Sequence, residues 1–152
     1  AFLHRLDDYE SLPVPSAGCG ASEVDAEVEA RVDLEVASTD RWYLRTVPAA
    51  HDGETPVPLV VDFHGLAEGA QIHTLMSAFS PVAQNEGFVV VFPQGTGNPV
   101  RWNVALDPSG NPDLVFVDAM LDDLADDLCI VRSMRISWRA IRFSRLCGSR
   151  ST

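Results

Sequence analysis

The chain has 152 residues and a mass of 16.5 kDa, with 46% hydrophobic and 22% charged residues. That is the composition and length of one globular domain with core enough to fold without staples. Its 22 acids against 11 basic residues give a net charge of -11, the wrong sign for binding a nucleic-acid backbone. No apolar run approaches the roughly 18 residues needed to span a bilayer, and no charged-then-apolar leader opens the chain, so neither nucleic acid nor membrane is an expected partner.

Residues 1–26 are rich in Ser, Pro, Gly and acids and lack periodicity, which predicts an extended leader or disordered arm. From Glu27 apolar and charged residues alternate: Val28, Ala30, Val32, Leu34 and Val36 against Glu29, Arg31, Asp33 and Glu35. A period of two predicts a half-exposed strand. Ser38-Thr39-Asp40 is the expected turn, with Trp42 to Val47 as the hairpin partner. Residues 57–63 form a near-continuous apolar run, as for a strand covered on both faces, and the run stops at His64-Gly65.

A helix is expected next, with Ser80 as N-cap, Pro81 as first residue and Gly87 as stop. Phe88 to Phe92 reads as a second buried strand. Asn111-Pro112-Asp113 opens a helix whose apolar face is expected at Leu114, Val117, Leu121, Leu124 and Leu128. Asp122, Asp123, Asp126 and Asp127 form the opposite, solvated face. Hairpin, strand, helix, strand, helix is an α/β order with a largely parallel sheet and an antiparallel edge. Two buried parallel strands are few for such a sheet.

Beyond residue 130 the text changes. Residues 1–130 hold all 22 acids and only Arg5, Arg31, Arg41, Arg45 and Arg101. Residues 131–152 hold six arginines (Arg132, Arg135, Arg139, Arg142, Arg145 and Arg150) and no acid. The segment is either a basic tail for an anionic partner or a stretch read out of its original frame. The three cysteines, Cys19, Cys129 and Cys147, match no zinc spacing. They are compatible with a Cys129–Cys147 bridge or with buried free thiols.

Among short motifs, Gly95-Thr96-Gly97 lacks the remaining features of a phosphate loop and reads as a polar turn. Asp62, His64 and His73 lack metal-ligand spacing, so no metal and no cofactor is expected. His64-Gly65-Leu66 stands out. It lies beyond the carboxyl end of a buried strand, where open parallel sheets bind ligands. A glycine there lets backbone N–H groups turn toward a substrate oxygen.

The run TPVPLVVDFHGLAEGAQIHTLMSAFSPVAQNEGFVVVFPQGTGNPVRWN, followed by NPDLVFVDAMLDDLADDLCI, resembles the polyhydroxybutyrate depolymerase/feruloyl esterase branch of the α/β-hydrolases. The matching blocks are strand-His-Gly at 59–65, EGFVVVFPQGTG at 86–97, RWN at 101–103 and the helix from Asp113. The resemblance implies an incomplete α/β-hydrolase sheet. An N-terminal antiparallel hairpin is followed by parallel strands with flanking helices, and residues 27–130 form the N-terminal part of the domain. It further implies an extracellular serine esterase acting on an ester substrate. Gly65 and Leu66 are its oxyanion-hole candidates, and His64 and Trp102 stand at the substrate mouth.

The family continues after such a helix with a strand and a G-x-S-x-G elbow. This sequence contains no G-x-S-x-G, and it reads VRSMRISWRAIRFSRLCGSRST instead. No complete catalytic set is therefore expected, since catalysis without nucleophile and base falls to residual levels. A coding frameshift near residue 131 accounts for the arginine-rich switch, the missing elbow and the stop together. The sequence is thus read as an inactive fragment of an esterase. The alternative is a non-catalytic or vestigial binding module whose basic tail recruits an acidic partner. An unpaired sheet edge beside the 59–63 strand would favour self-association, and the tail is expected to form no strand-elbow-helix unit.

Overall fold

The computed structural model describes residues 14–21, 25–104 and 110–132. In chain order the elements are β1 (Val14–Pro15), β2 (Glu27–Val36), β3 (Thr39–Val47), β4 (Leu59–Val61), α1 (Ala70–Ser77), α2 (Phe79–Glu86), β5 (Val89–Pro93), α3 (Pro112–Asp127) and β6 (Val131–Arg132). Four strands form one sheet in the order β2-β3-β5-β4. β2 with β3 and β3 with β5 are antiparallel, and β4 with β5 is parallel. The expected α/β architecture with a hairpin edge is observed, but the sheet is mixed rather than largely parallel: among the described strands only β4 with β5 runs parallel.

The hairpin turns one residue earlier than its sequence suggests. Val36 pairs with Thr39, so Ala37 and Ser38 alone make the turn, both left-handed at φ 49 and 61. A two-residue loop of that kind matches the twist of the flanking strands, which is why the chain accepts an unfavourable φ there. A bulge between Glu27 and Ala30 interrupts the ladder; the Glu29 N–H is satisfied by Thr46 Oγ1 at 3.0 Å.

β5 explains the layering. Its five residues are all buried, and alternation sends Val89 and Val91 to one face and Val90 and Phe92 to the other. The first face meets α3 through Phe116, Met120 and Leu124, with Tyr43, Val47 and Leu128 closing the core. The second meets Ala70 of α1 and Ala83 of α2. β4 is shorter than the 57–63 run and only half-buried rather than covered on both faces. Among the described residues no strand of this sheet pairs with its outer edge; the only partner near it is a parallel bridge between Val57 and Ile130.

The helices depart from the sequence reading in two places. The helix that Gly87 ends starts at Phe79, so Ser80 and Pro81 lie in its first turn rather than at N-cap and first position. The break falls at Ala78, left-handed at φ 53, and Ser80 lies inside α2, buried, donating to Glu29 Oε1 at 2.8 Å. Gly87 closes α2 in the left-handed conformation as expected. α3 begins as its sequence predicts, with the Asn111 side chain accepting from the Asp113 N–H and Pro112 in the first turn. Of its expected apolar face Leu124 and Leu128 are buried, but Leu121 is exposed, and Phe116 and Met120 are buried instead. The acids opposite are not all solvated: Asp123 accepts from Tyr43 Oη at 2.8 Å, and Asp127 pairs with Arg45 at 3.2 Å. Burial, reinforced by Asp123, pushes the Tyr43 phenol well above its ordinary value.

Residues 14–21, within the stretch expected to form a loose arm, are held against the body. β1 pairs antiparallel with β6, and Ser16 is buried with its hydroxyl on the Leu128 carbonyl. A Cβ on Gly18 would come within 2.6 Å of the Leu128 backbone, so only glycine passes there. Cys19 is bonded to Cys129, 110 residues away, in place of a Cys129–Cys147 bridge or free thiols. A cross-link closing so long a loop stabilises by typically about 2–4 kcal/mol, mainly by restricting the unfolded chain. Cys147 and the segment 133–152, on which the frameshift and tail expectations fall, lie outside the described residues.

Candidate active site

The chain leaves β4 still paired to β5, with the Asp62 N–H donating to the Val91 carbonyl at 2.9 Å. It then delivers His64 inward, only 3% exposed. The Gly95 N–H donates to His64 Nε2 at 2.9 Å, so that nitrogen carries no proton. The proton sits on Nδ1, which lies 2.7 Å from the Gly65 carbonyl and donates to it. One imidazole thus spans two loops, and its tautomer is fixed by what it touches. Trp102 adds a cover: its Nε1 donates to the His64 carbonyl at 3.0 Å, and its ring lies 4.9 Å from the imidazole. Phe63 meets the same indole edge-on at 5.2 Å.

This arrangement orients the next amide. In a planar trans peptide the N–H points opposite the C=O. With the Gly65 carbonyl held by His64, the Leu66 N–H points away from the His64 imidazole. Among the described residues it has no hydrogen-bond partner, and Leu66 is 71% exposed. The other candidate donor, the Gly65 N–H, is engaged by Glu68 Oε2 at 2.7 Å. The turn is also tied sideways, since the Ala67 N–H donates to the Val100 carbonyl at 2.8 Å. The residues around Gly95-Thr96-Gly97 form a polar turn closed by the Thr96–Arg101 bridge.

Of the four candidates, Leu66 presents an open donor and Gly65 a satisfied one. His64 and Trp102 are support beneath the turn. The residues that hold this floor in place escaped the sequence reading. Arg41, on β3, pairs with Asp113 of α3 at 2.9 Å with side chains 5% and 7% exposed. It also donates to the Gln94 carbonyl at 3.1 Å and lies 4.1 Å over the Phe116 ring. Asp113 Oδ2 accepts from the Asn103 N–H at 2.6 Å, which fixes the segment carrying Trp102. Gln94 caps the start of α1 by accepting from the Ala70 N–H at 2.8 Å. An Arg at an inward position of a strand was the one available signal for this network. A cleft of about 360 Å³ opens beside the turn, lined by Trp42, Glu68, Ile72, Gln94 and Val100.

His73 faces Asp62 and Glu68 rather than His64. Among the described residues no set of three or more His, Cys, Asp or Glu is arranged to hold a metal, and no serine is hydrogen-bonded to a histidine. Away from the site, the exposed Asp52 carboxyl is pulled down to about 2 by the Thr55 and Glu54 N–H groups and the Thr55 hydroxyl.

No family model matches the sequence, and no curated protein does. Solved structures do: a ferulic acid esterase superposes with a TM-score of 0.50 at 20% identity, covering 70% of this chain and 46% of that one. The fold is that of the α/β-hydrolases. Native pOPH gives a TM-score of 0.46 at 21% identity, with 66% and 40% of the two chains covered. An S-formylglutathione hydrolase from Agrobacterium tumefaciens gives 0.37 at 21%, with 54% and 29% covered. The chain thus spans less than half the length of these α/β-hydrolases. On this fold the His64-Gly65-Leu66 turn stands beyond the carboxyl end of β4, the side on which open parallel sheets take their ligands.

Proposed function

We propose that the described residues form the oxyanion side of a carboxylic-ester hydrolase site, in an exported serine esterase of the polyhydroxybutyrate depolymerase/feruloyl esterase kind. One observation carries the reading: His64 holds the Gly65 carbonyl, and the Leu66 N–H, pointing the other way at the carboxyl end of β4, has no hydrogen-bond partner among the described residues. An ester carbonyl seated against that N–H would meet a donor fixed before charge develops on its oxygen. A preorganised donor of this type contributes about 10²–10³ in kcat. The Cys19–Cys129 bridge supports an oxidising compartment outside the cytosol.

The sequence supplies the oxyanion turn but no G-x-S-x-G, so the 152-residue chain has no elbow to present a nucleophile. It therefore hydrolyses p-nitrophenyl butyrate no faster than buffer and takes up no serine-directed fluorophosphonate. Turnover above background that the fluorophosphonate abolishes would overturn this part of the reading. A one-base shift near codon 131 of the gene restores a G-x-S-x-G downstream; a gene with no such motif in any frame removes the basis for the frameshift.

A further inference from the structure

A second cluster stands beside the turn that His64 holds. His73, on α1, is placed between two carboxylates. Its Nε2 lies 2.9 Å from Asp62 Oδ1 and its Nδ1 lies 3.2 Å from Glu68 Oε2. Carboxylates only accept, so the ring hydrogen-bonds both at once only when both nitrogens carry protons, as in the imidazolium. The same Glu68 oxygen accepts the Gly65 N–H at 2.7 Å. Asp62 is anchored through its own N–H to Val91, and its second oxygen is buried without a partner. Side-chain exposures are 17% for His73 and Asp62 and 26% for Glu68. Phe92 of β5, which is uncharged, meets the imidazole edge-on at 6.5 Å.

We infer that Asp62, His73 and Glu68 are a protonation-dependent latch on the turn that offers the Leu66 N–H, with Glu68 as the positioning residue and His73 as its switch. While His73 is charged it holds Glu68 over the Gly65 amide, and the His64-Gly65-Leu66 backbone is fixed from both sides: His64 on the Gly65 carbonyl, Glu68 on the Gly65 N–H. A neutral ring has one proton and serves one carboxylate. It keeps Asp62, the shorter and more buried contact, whose other oxygen has nothing else to accept from. Glu68 is released toward solvent, and the Gly65 amide loses its restraint. The turn is therefore set below the pH at which His73 loses its proton and loosened above it.

The oxyanion role of the turn rests on the proposed function; the latch does not, and it is read without any hydrolysis assay. In a pH series of amide and imidazole NMR spectra on the 152-residue chain, the Gly65 amide is expected to shift with the midpoint of His73. Its exchange protection falls roughly fivefold across the step, as for the loss of one net hydrogen bond. In Glu68→Gln the Gly65 step disappears, because the carboxylate that spans the imidazole and the Gly65 N–H is gone. His73→Gln abolishes the step as well. A Gly65 amide that ignores His73, or a step that survives in Glu68→Gln, overturns the latch. If His73→Gln does not fold, the Glu68→Gln variant, at the more exposed of the three side chains, decides alone. Loss of the ester-hydrolase reading would leave the Gly65 step in place, and loss of the step would leave the hydrolysis result in place.

Discussion

His64 makes two hydrogen bonds whose directions depend on a single proton, and the Gly95 N–H decides where that proton sits. The dipeptide His64-Gly65 at the end of an apolar run was legible in the sequence, because a strand stop and a glycine are local signals. The lock was not legible, since Gly95 lies 31 residues further on and only the parallel pairing of β4 with β5 brings them together. A Cβ at Gly95 would fall 2.6 Å from the Arg101 carbonyl and 3.0 Å from His64 Nε2, so the glycine answers to packing rather than to a phosphate. The same holds for Arg41 and Asp113, separated by 72 residues. Asp113→Ala leaves the Arg41 guanidinium buried without its counter-charge, which costs about 3–5 kcal/mol. Denaturant unfolding checks this; a loss below about 1 kcal/mol would show that Arg41 finds other partners in place.

The β2–β3 hairpin was readable from alternation alone, and α3 from its Asn-Pro-Asp start. What alternation could not give was the turn, because nothing in Ala37-Ser38 advertises a left-handed conformation. Both residues sit where glycine or asparagine is favoured, each at about 1–2 kcal/mol for an ordinary L-residue. Replacing the pair by Asn-Gly (Ala37→Asn with Ser38→Gly) should raise stability by about 1 kcal/mol or more, seen as an upward shift in Tm. An unchanged or lower Tm would mean that the turn is held by contacts its backbone angles do not reveal. On α3 the expected face is right at its C-terminal end, where Leu124 and Leu128 are buried, and displaced in the first turns, where Phe116 and Met120 are buried and Leu121 is exposed. Two large side chains fill the space over Tyr43, Val89 and Val91, and the helix rotates to place them there.

At the scale of the molecule, the sheet order β2-β3-β5-β4 puts β5 in the middle, buries it on both faces, and leaves the outer edge of β4 without a strand partner among the described residues. Composition and element order carried the fold class this far. They could not show that residues 14–21 belong to the body, because that attachment runs through Ser16, Gly18 and Cys19 to residues more than a hundred positions away. Segments rich in Ser, Pro and Gly look loose when their anchors are distant. The sheet, the His64 lock and the unpartnered Leu66 N–H together support one account: an oxyanion turn built and held in place in a sequence that carries no nucleophile elbow. Its most direct test restores the reading frame near codon 131, expresses the resulting chain beside the 152-residue one, and measures p-nitrophenyl butyrate hydrolysis with and without a fluorophosphonate. The account predicts fluorophosphonate-sensitive turnover in the frame-restored chain and buffer-level hydrolysis in the other. Turnover in the 152-residue chain, or a folded frame-restored chain that hydrolyses no ester, would contradict it.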